Sequence, residues 1–538
     1  MKLPEGDVVI VGSGVAGVSA AIPLVEAGLN VVMIDGGIDP EQSAPSGRLY
    51  DIRTRVADQW KLFVGKQFQA LRTDLPSSPK FRAPTNAFAY HGYKTTYHVH
   101  AANFSIVGSL AAGGLSNVWG AGVSCYTQEE LHDFPLTRAD LQPSYRAIAA
   151  RIGVSGSVTD DLASFFGEDM PLQPPTVLGE NAARLFRRYT ENPEPAQRQG
   201  VTLGHARNAV LTEDLGDRQG CDEANLCIWG CARRAIYSAL YDLEFLKRHN
   251  NFHYGGKLIL ESLRPQSNGY LLPIRPIESA STFEYPAKVI ILACGAIGSA
   301  KLVLQALEMV DRDIPFLSAP TAGFALWLPE RLGAAVSRKA FGLGQLSYTV
   351  RGDRENSLAF GNLFGSDGLL TSEFVRYLPF SRPSAIQFMQ LLGPSLLLGN
   401  CFLPGNFSDH TLVFRSDGAL QIRGGYQDSL SSFMTKIKRR LTRAFMRYGI
   451  VTLPNSFKLT APGEDVHYAA TVPMRNVPEP HQAKPTGEVA GLGNVYVVDG
   501  AALTALPAKG HTFTIMANAD RIARGLVGRL KGNGGVIP

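Results

Sequence analysis

Three residue patterns in this 538-residue chain could do chemistry. The first is Gly12-Ser13-Gly14-Val15-Ala16-Gly17, which fits G-x-G-x-x-G, with Asp35 following 23 positions after Gly12. In such a pattern the first glycine permits a tight turn, the second lets backbone approach a pyrophosphate, and the third lets helix and strand pack closely. A helix N-terminus behind the turn offers unpaired N–H groups and partial positive charge to phosphate. An acid placed like Asp35 can accept hydrogen bonds from a ribose hydroxyl. These residues predict a dinucleotide site without separating FAD from NAD. The second pattern is Cys221, Cys227 and Cys231, spaced C-x5-C-x3-C. Structural zinc sites prefer paired short spacings and four ligands, and here only the distant His253 could be a fourth. Metal, disulfide and packed loop are the three readings, with the packed loop favoured. The third is the set of 11 histidines, whose imidazoles can exchange protons near neutral pH. Spacing alone singles out none of them.

The elements that must hold the glycine turn read strand, turn, helix, strand. Val8 to Val11 is continuously apolar, Ala16 to Ala27 is helical in composition although Pro23 should perturb it, and Gly28 stops it before Val31 to Ile34. Further apolar strands are predicted at Val289 to Ala293 and Val495 to Asp499, followed by helices over Ser299 to Leu307 and Thr512 to Leu526. One nucleotide-binding sheet assembled from the start, middle and end of the chain explains these pieces. The expected fold is therefore α/β, with a Rossmann-like domain over residues 1–310 and 481–538 and a second domain over 311–480. Within that second part, Leu430, Met434, Ile437, Leu441, Phe445 and Tyr448 mark one helix face, leaving Lys436, Lys438, Arg439, Arg440, Arg443 and Arg447 largely to solvent.

Composition excludes several classes. Hydrophobic residues at 45% and charged residues at 18% suit a globular enzyme rather than a disordered chain. A net charge of +5 over this length is no basic stripe, which argues against nucleic acid. Six cysteines make no disulfide scaffold, and the opening apolar run is too short for a secretory segment, so a cytoplasmic setting is expected. The uncharged stretch 383–408 is interrupted by Gly393, Pro394, Gly399 and Asn400, which makes a poor membrane span. It reads chiefly as core, with a lipid-facing or substrate-channel loop as the alternative.

Several further segments resemble the glucose–methanol–choline oxidoreductases. Gly113-Gly114-Leu115-Ser116-Asn117-Val118-Trp119-Gly120 is similar to the glycine-rich segment that lies against the flavin in that family. Phe134-Pro135-Leu136-Thr137 through Leu141-Gln142-Pro143-Ser144-Tyr145 resembles the stretch that follows it. Ala293 to Leu302 resembles the family's A-x-G-x-x-x-T/S-x-x-L, while Val497-Val498-Asp499-Gly500 and Thr514 to Ala523 resemble its closing flavin segment. Residues 311–455 match no specific member. The resemblance implies FAD, a Rossmann-like FAD-binding domain built from discontinuous segments, and an α+β substrate domain on a largely antiparallel sheet. It implies that Gly12, Gly14, Gly17, Asp35, Gly113, Gly114, Ser116, Asn117, Trp119, Gly120, Ala293, Gly295, Asp499, Gly500, Thr512 and Phe513 bind the cofactor. Members with a covalently linked flavin can use a His in the glycine-rich segment; Val118 stands there, and His98 and His100 lie upstream, so noncovalent FAD is expected. The cysteine loop would then cover the flavin.

The same resemblance implies a catalytic pair. His467-Tyr468-Ala469-Ala470-Thr471-Val472-Pro473-Met474 is similar to H-x-x-G-T-x-R-M, departing at Ala470 and Pro473. His511, after Pro507-Ala508-Lys509-Gly510, resembles the second catalytic position. His467 is expected as the base at a substrate hydroxyl and His511 as its partner at the alcohol oxygen, the two roles being exchangeable. The implied reaction is hydride transfer from the hydroxyl-bearing carbon of a sugar, polyol or biosynthetic intermediate to flavin N5, with oxygen or another acceptor reoxidising the flavin. A flavoprotein lyase or decarboxylase is the alternative on the same fold.

Overall fold

Strands apolar at every position fit a sheet covered on both faces, and Val8–Val11 takes that place. It is the central strand of a five-stranded sheet ordered Val495–Val497, Ile290–Leu292, Val8–Val11, Val31–Ile34, Phe252–Gly255, with every neighbouring pair parallel. The computed structural model describes residues 3–40, 44–71, 78–167, 169–352, 357–369, 372–375 and 378–532. Helix Val15–Glu26 leaves the glycine turn and packs against the long helix Thr512–Leu530, which in turn carries helix Arg138–Ile152. Helix Arg138–Ile152 begins at a capping box in which the Thr137 and Asp140 side chains satisfy each other's backbone N–H groups. The edge strand Phe252–Gly255 escaped the sequence reading because only Phe252 and Gly255 are buried, so it carries no continuous apolar run.

The second core forms around a seven-stranded sheet whose strands all pair antiparallel. Its main path runs Val451–Thr452, Thr321–Trp327, Leu396–Phe402, Leu358–Gly365, Leu346–Arg351, Val201–His205. Helices Glu180–Glu191 and Ser429–Arg447 pack on it through Leu185, Tyr189, Leu441 and Phe445. This core therefore takes in segments 180–191 and 201–205, which the division at residue 310 assigns to the first domain. Short strands and amphipathic helices give no sequence signal of which core they will join. Helix Ser429–Arg447 buries Leu430, Ile437 and Leu441, exposes Lys438, Arg439, Arg443 and Arg447, and half-buries Arg440, which donates to the Arg351 carbonyl.

The uncharged stretch 383–408 splits into helix Arg382–Leu392 and the buried strand Leu396–Phe402. Among the described residues no helix is long and apolar enough to cross a membrane.

A third sheet packs into the first core. Its order is Tyr468–Ala469, Ile314–Ser318, His410–Phe414, Leu420–Arg423, Val99–Ala102. It places Ser318 opposite Tyr468, directly beside His467.

The tightest packing constraint is at the glycine turn. A Cβ on Gly12 (φ +104°) would strike the Ala293 carbonyl, and one on Gly17 would strike the Gly12 carbonyl oxygen. Backbone cannot yield as a side chain can, so Gly17→Ala should lose about 1–3 kcal/mol of stability. A urea midpoint unchanged from wild type would contradict this close approach.

Candidate active site

The turn at Gly12 to Gly14 is fastened by Ser13 and Asp35. Asp35 Oδ1 accepts from Ser13 N–H (3.1 Å), and Oδ2 accepts from Ser13 Oγ (2.7 Å), Gly37 N–H (3.0 Å) and Tyr254 Oη (2.8 Å). Ser13 Oγ in turn accepts from Gly113 N–H (2.9 Å), tying the glycine-rich segment to the turn. Burial raises the Asp35 carboxyl, and these donors oppose the rise.

A single cleft of about 590 Å³ runs from this turn to the two histidines. Gly12, Gly14, Asp35, Gly114, Ser116, Trp119, Gly120, Ala293, Gly295, Asp499, Gly500, Thr512, His467 and His511 all border it. Four expected binding residues stand behind its wall instead. Gly17 sits at the close approach already described. Gly113 gives its N–H to Ser13 and packs against Leu240. Asn117 Nδ2 donates to the Ala112 and Gly114 carbonyls, and its Oδ1 accepts from Ser238 Oγ. Phe513 is fully buried and stacks on Tyr145 at 5.2 Å. The sequence pattern marks these positions, but a neighbour's contact and a ligand's contact look alike in it.

Asp499 is held by Ser299 Oγ (2.5 Å) and Ala501 N–H (2.9 Å), with burial lifting its carboxyl to about 6. His98 and His100 are absent from the cleft wall. The cysteine loop borders the cleft through Ile228, with Trp229 buried beneath it. Cys221, Cys227 and Cys231 are free thiols, and burial pushes the first two up to about 11 and 12. No cluster of His, Cys, Asp or Glu suited to a metal ion occurs among the described residues.

His467 and His511 meet at the far end of the cleft. Their ring centroids are 4.9 Å apart with planes at 76°, and Phe402 packs edge-on against His467 at 5.2 Å. Burial lowers His467 to about 4 and holds His511 well below the usual imidazole value, the latter also through its neighbour's charge, so both rings are neutral at neutral pH. The loop before His511 is pinned by Lys509, whose buried ammonium pairs with Glu130 (2.8 Å) and donates to the Cys125 and Phe165 carbonyls. Ala470, where the family pattern has glycine, lies at φ +64°, a conformation glycine would adopt without strain. Two residues before His467 stands Asp465, which the sequence reading passed over. Its side chain is fully buried, with one oxygen 3.7 Å from His467 Nδ1. The spacing D-x-H was its only signal.

The cleft fits a dinucleotide by its shape. A Cβ on Gly14 or Gly295 would meet nothing within 4 Å, so both present bare backbone to open space beside the N-termini of helices Val15–Glu26 and Gly295–Ala306. A model of the FAD binding domain matches residues 7–45. The whole architecture is similar to pyridoxine 4-oxidase from Mesorbium loti (TM-score 0.58, 15% identity, 97% of this chain and 99% of that one). It is similar also to a formate oxidase (TM-score 0.63, 12% identity, 98% and 99%). The fold is that of the glucose–methanol–choline flavoproteins, and its cofactor is FAD. In sequence this flavoprotein is 26% identical over 310 residues to paromamine 6'-oxidase of Streptomyces fradiae. The alignment covers 56% of this chain and 49% of that protein, so the chain spans about half the length of the curated relative it matches.

Burial of imidazoles predicts a pH dependence of stability. His410 is also buried and lowered from 6.5 to about 4. A folded value below the unfolded one contributes stability that is complete above about 6.5 and lost as pH falls toward about 4. In that window each such group adds a slope of up to about 1.4 kcal/mol per pH unit. Chemical melts across it should show a shallower slope in His410→Gln than in wild type; equal slopes would contradict the buried neutral ring.

Proposed function

We propose that this flavoprotein oxidises a hydroxyl-bearing carbon of a small polar molecule to a carbonyl. The observation that carries the reading is the pair of neutral, buried imidazoles in contact at one end of the FAD cleft. Bound FAD supplies the hydride acceptor, flavin N5. His467 takes the hydroxyl proton, since a neutral ring at the cleft wall is a competent base. His511 donates to the Tyr468 carbonyl, which fixes its ring beside His467 at the end of the cleft where the alcohol oxygen would sit.

The far wall combines Phe360, Phe364 and Phe402 with Asn362 and Asn400, which suits a substrate with one apolar face and several hydroxyls. Noncovalent FAD is supported by Val118 in the glycine-rich segment and by His98 and His100 lying off the cleft. The names of the relatives, oxidases of paromamine, pyridoxine and formate, support dioxygen as the acceptor. Six free thiols among the described residues suit a reducing compartment such as the cytoplasm.

Anaerobic mixing with paromamine, pyridoxine and benzyl alcohol should bleach the flavin's visible absorbance with at least one of them, whereas a lyase would leave it oxidised. His467→Ala should retain the flavin and bleach about 10²–10⁴-fold more slowly, the usual contribution of a positioned base. Bleaching at the wild-type rate in that variant would remove His467 from the chemistry.

A further inference from the structure

Two buried side-chain atoms beside the histidine pair, Asp465 Oδ1 and His467 Nδ1, have no hydrogen-bond partner. The Asp465 side chain has no solvent exposure. Its Oδ2 accepts from Ala319 N–H (2.9 Å) and His467 N–H (3.0 Å), and lies 3.7 Å from His467 Nδ1. Between the two residues Val466 is held at φ +62°, a left-handed conformation that a β-branched residue adopts only under constraint. Such strain is retained where the surroundings fix a side chain's direction, and here it turns the carboxyl and the imidazole of neighbouring residues toward one another.

The hydrogen bonds behind Asp465 have a fixed sense. Gly425 N–H donates to His410 Nδ1 (3.1 Å), so the neutral His410 ring carries its proton on Nε2. That N–H points at Ser318 Oγ (2.9 Å), which leaves the serine hydroxyl proton for the Asp465 carboxyl it also faces. The groups named around Asp465 therefore donate to it, and its Oδ2 is the oxygen that lies nearest His467 Nδ1. The other titratable groups around it are Tyr426, Tyr468 and Glu464. Among the described residues its only ion-pair partner is His467.

We propose that Asp465 is a positioning residue that holds the His467 proton on Nδ1, so that Nε2 meets the substrate hydroxyl as a free base. The inference rests on the alcohol-oxidising reading above. About 0.7 Å of movement by either side chain closes the 3.7 Å gap to a hydrogen bond. The hydroxyl proton then moves to Nε2 as the hydride leaves the same carbon for the flavin. The resulting imidazolium donates Nδ1–H to the Asp465 carboxylate, which keeps its charge, and the Nε2 proton passes to water once the carbonyl product has left.

Asp465 must be ionised for this. A protonated carboxyl would donate to Nδ1 and force the ring proton onto Nε2, blocking the base. Burial raises Asp465 to about 7 and lowers His467 to about 4, both toward the neutral forms despite their ion-pair distance. Desolvation outweighs the long contact, and the two titrate as a pair. The rate of flavin bleaching should rise with pH through a limb near 7.

The test combines two readouts on the FAD-loaded enzyme. In anaerobic rapid mixing with paromamine, pyridoxine or benzyl alcohol, Asp465→Asn should bleach about 10²–10⁴-fold more slowly and lose the limb near pH 7. In ¹⁵N-histidine NMR without substrate, wild type should show a low-field Nδ1–H signal that disappears in His467→Gln and in Asp465→Asn but persists in His511→Gln. A wild-type spectrum with the His467 proton on Nε2 overturns the proposal, as does an Asp465→Asn enzyme with the wild-type rate and limb. Should Asp465→Asn fail to hold FAD, the wild-type and His467→Gln spectra still decide. Failure of all three alcohols to bleach wild type would sink the alcohol reading alone, because the spectrum reports the tautomer without turnover.

Discussion

Parallel pairing of Val8–Val11 with Ile290–Leu292, and of that strand with Val495–Val497, is the constraint on which everything else depends. It brings residues almost 500 positions apart to one sheet edge. Gly12 and Ala293 follow directly from the first two strands and Asp499 stands two residues beyond the third, so one register error would displace the turn, its neighbouring helix and the closing segment together. The register is strongly specified because all three strands are buried throughout. A sheet of this connectivity gathers its ligand site at the carboxyl ends of its strands, where the dinucleotide turn also lies.

The cost of such a site is desolvation. Asp35, Asp465 and Asp499 are buried carboxyls, each raised by removal from water and each held by donors from backbone or hydroxyl groups. The imidazoles show the complementary effect, since burial disfavours their charged form. Burial that is unfavourable for a charge thus keeps both rings neutral beside the cofactor cleft.

What could be read from sequence follows the same physics. Uniformly apolar strands bracketing a glycine turn are legible because backbone geometry dictates residue type at each position. His467 and His511 were legible only through resemblance, as nothing in their spacing distinguishes them from nine other histidines. Gly113, Asn117 and Phe513 stand behind the wall because their contacts are with Ser13, Ser238 and Tyr145, which no linear pattern reveals. Asp465 was missed for a related reason. A residue two positions from a histidine faces it only when the intervening backbone is bent, and Val466 gives no sign in sequence of being left-handed. The borrowed strand Val201–His205 escaped assignment because its partner, Leu346–Arg351, lies far away in the chain.

The segment carrying His467 is fixed to the flavin segment rather than to the substrate sheet. Ala470, Val472 and Met474 donate N–H groups to the carbonyls of Gly500, Ala501 and Ala502, and Thr471 Oγ1 donates to the Ala296 carbonyl (2.7 Å). Val466 and Ala470, both left-handed, stand on either side of the histidine, each conformation costing about 1–2 kcal/mol. That ladder holds the bend at its far end, and the Tyr468 hydroxyl, between the Ser105 and Gly463 carbonyls, holds it at the near end. His467 is thus tied to the segment that borders the cleft at Gly500, while Phe402 of the antiparallel sheet packs against its ring. Strands Leu358–Gly365 and Leu396–Phe402 supply Phe360, Asn362, Asn400 and Phe402 to the opposite wall of the cleft.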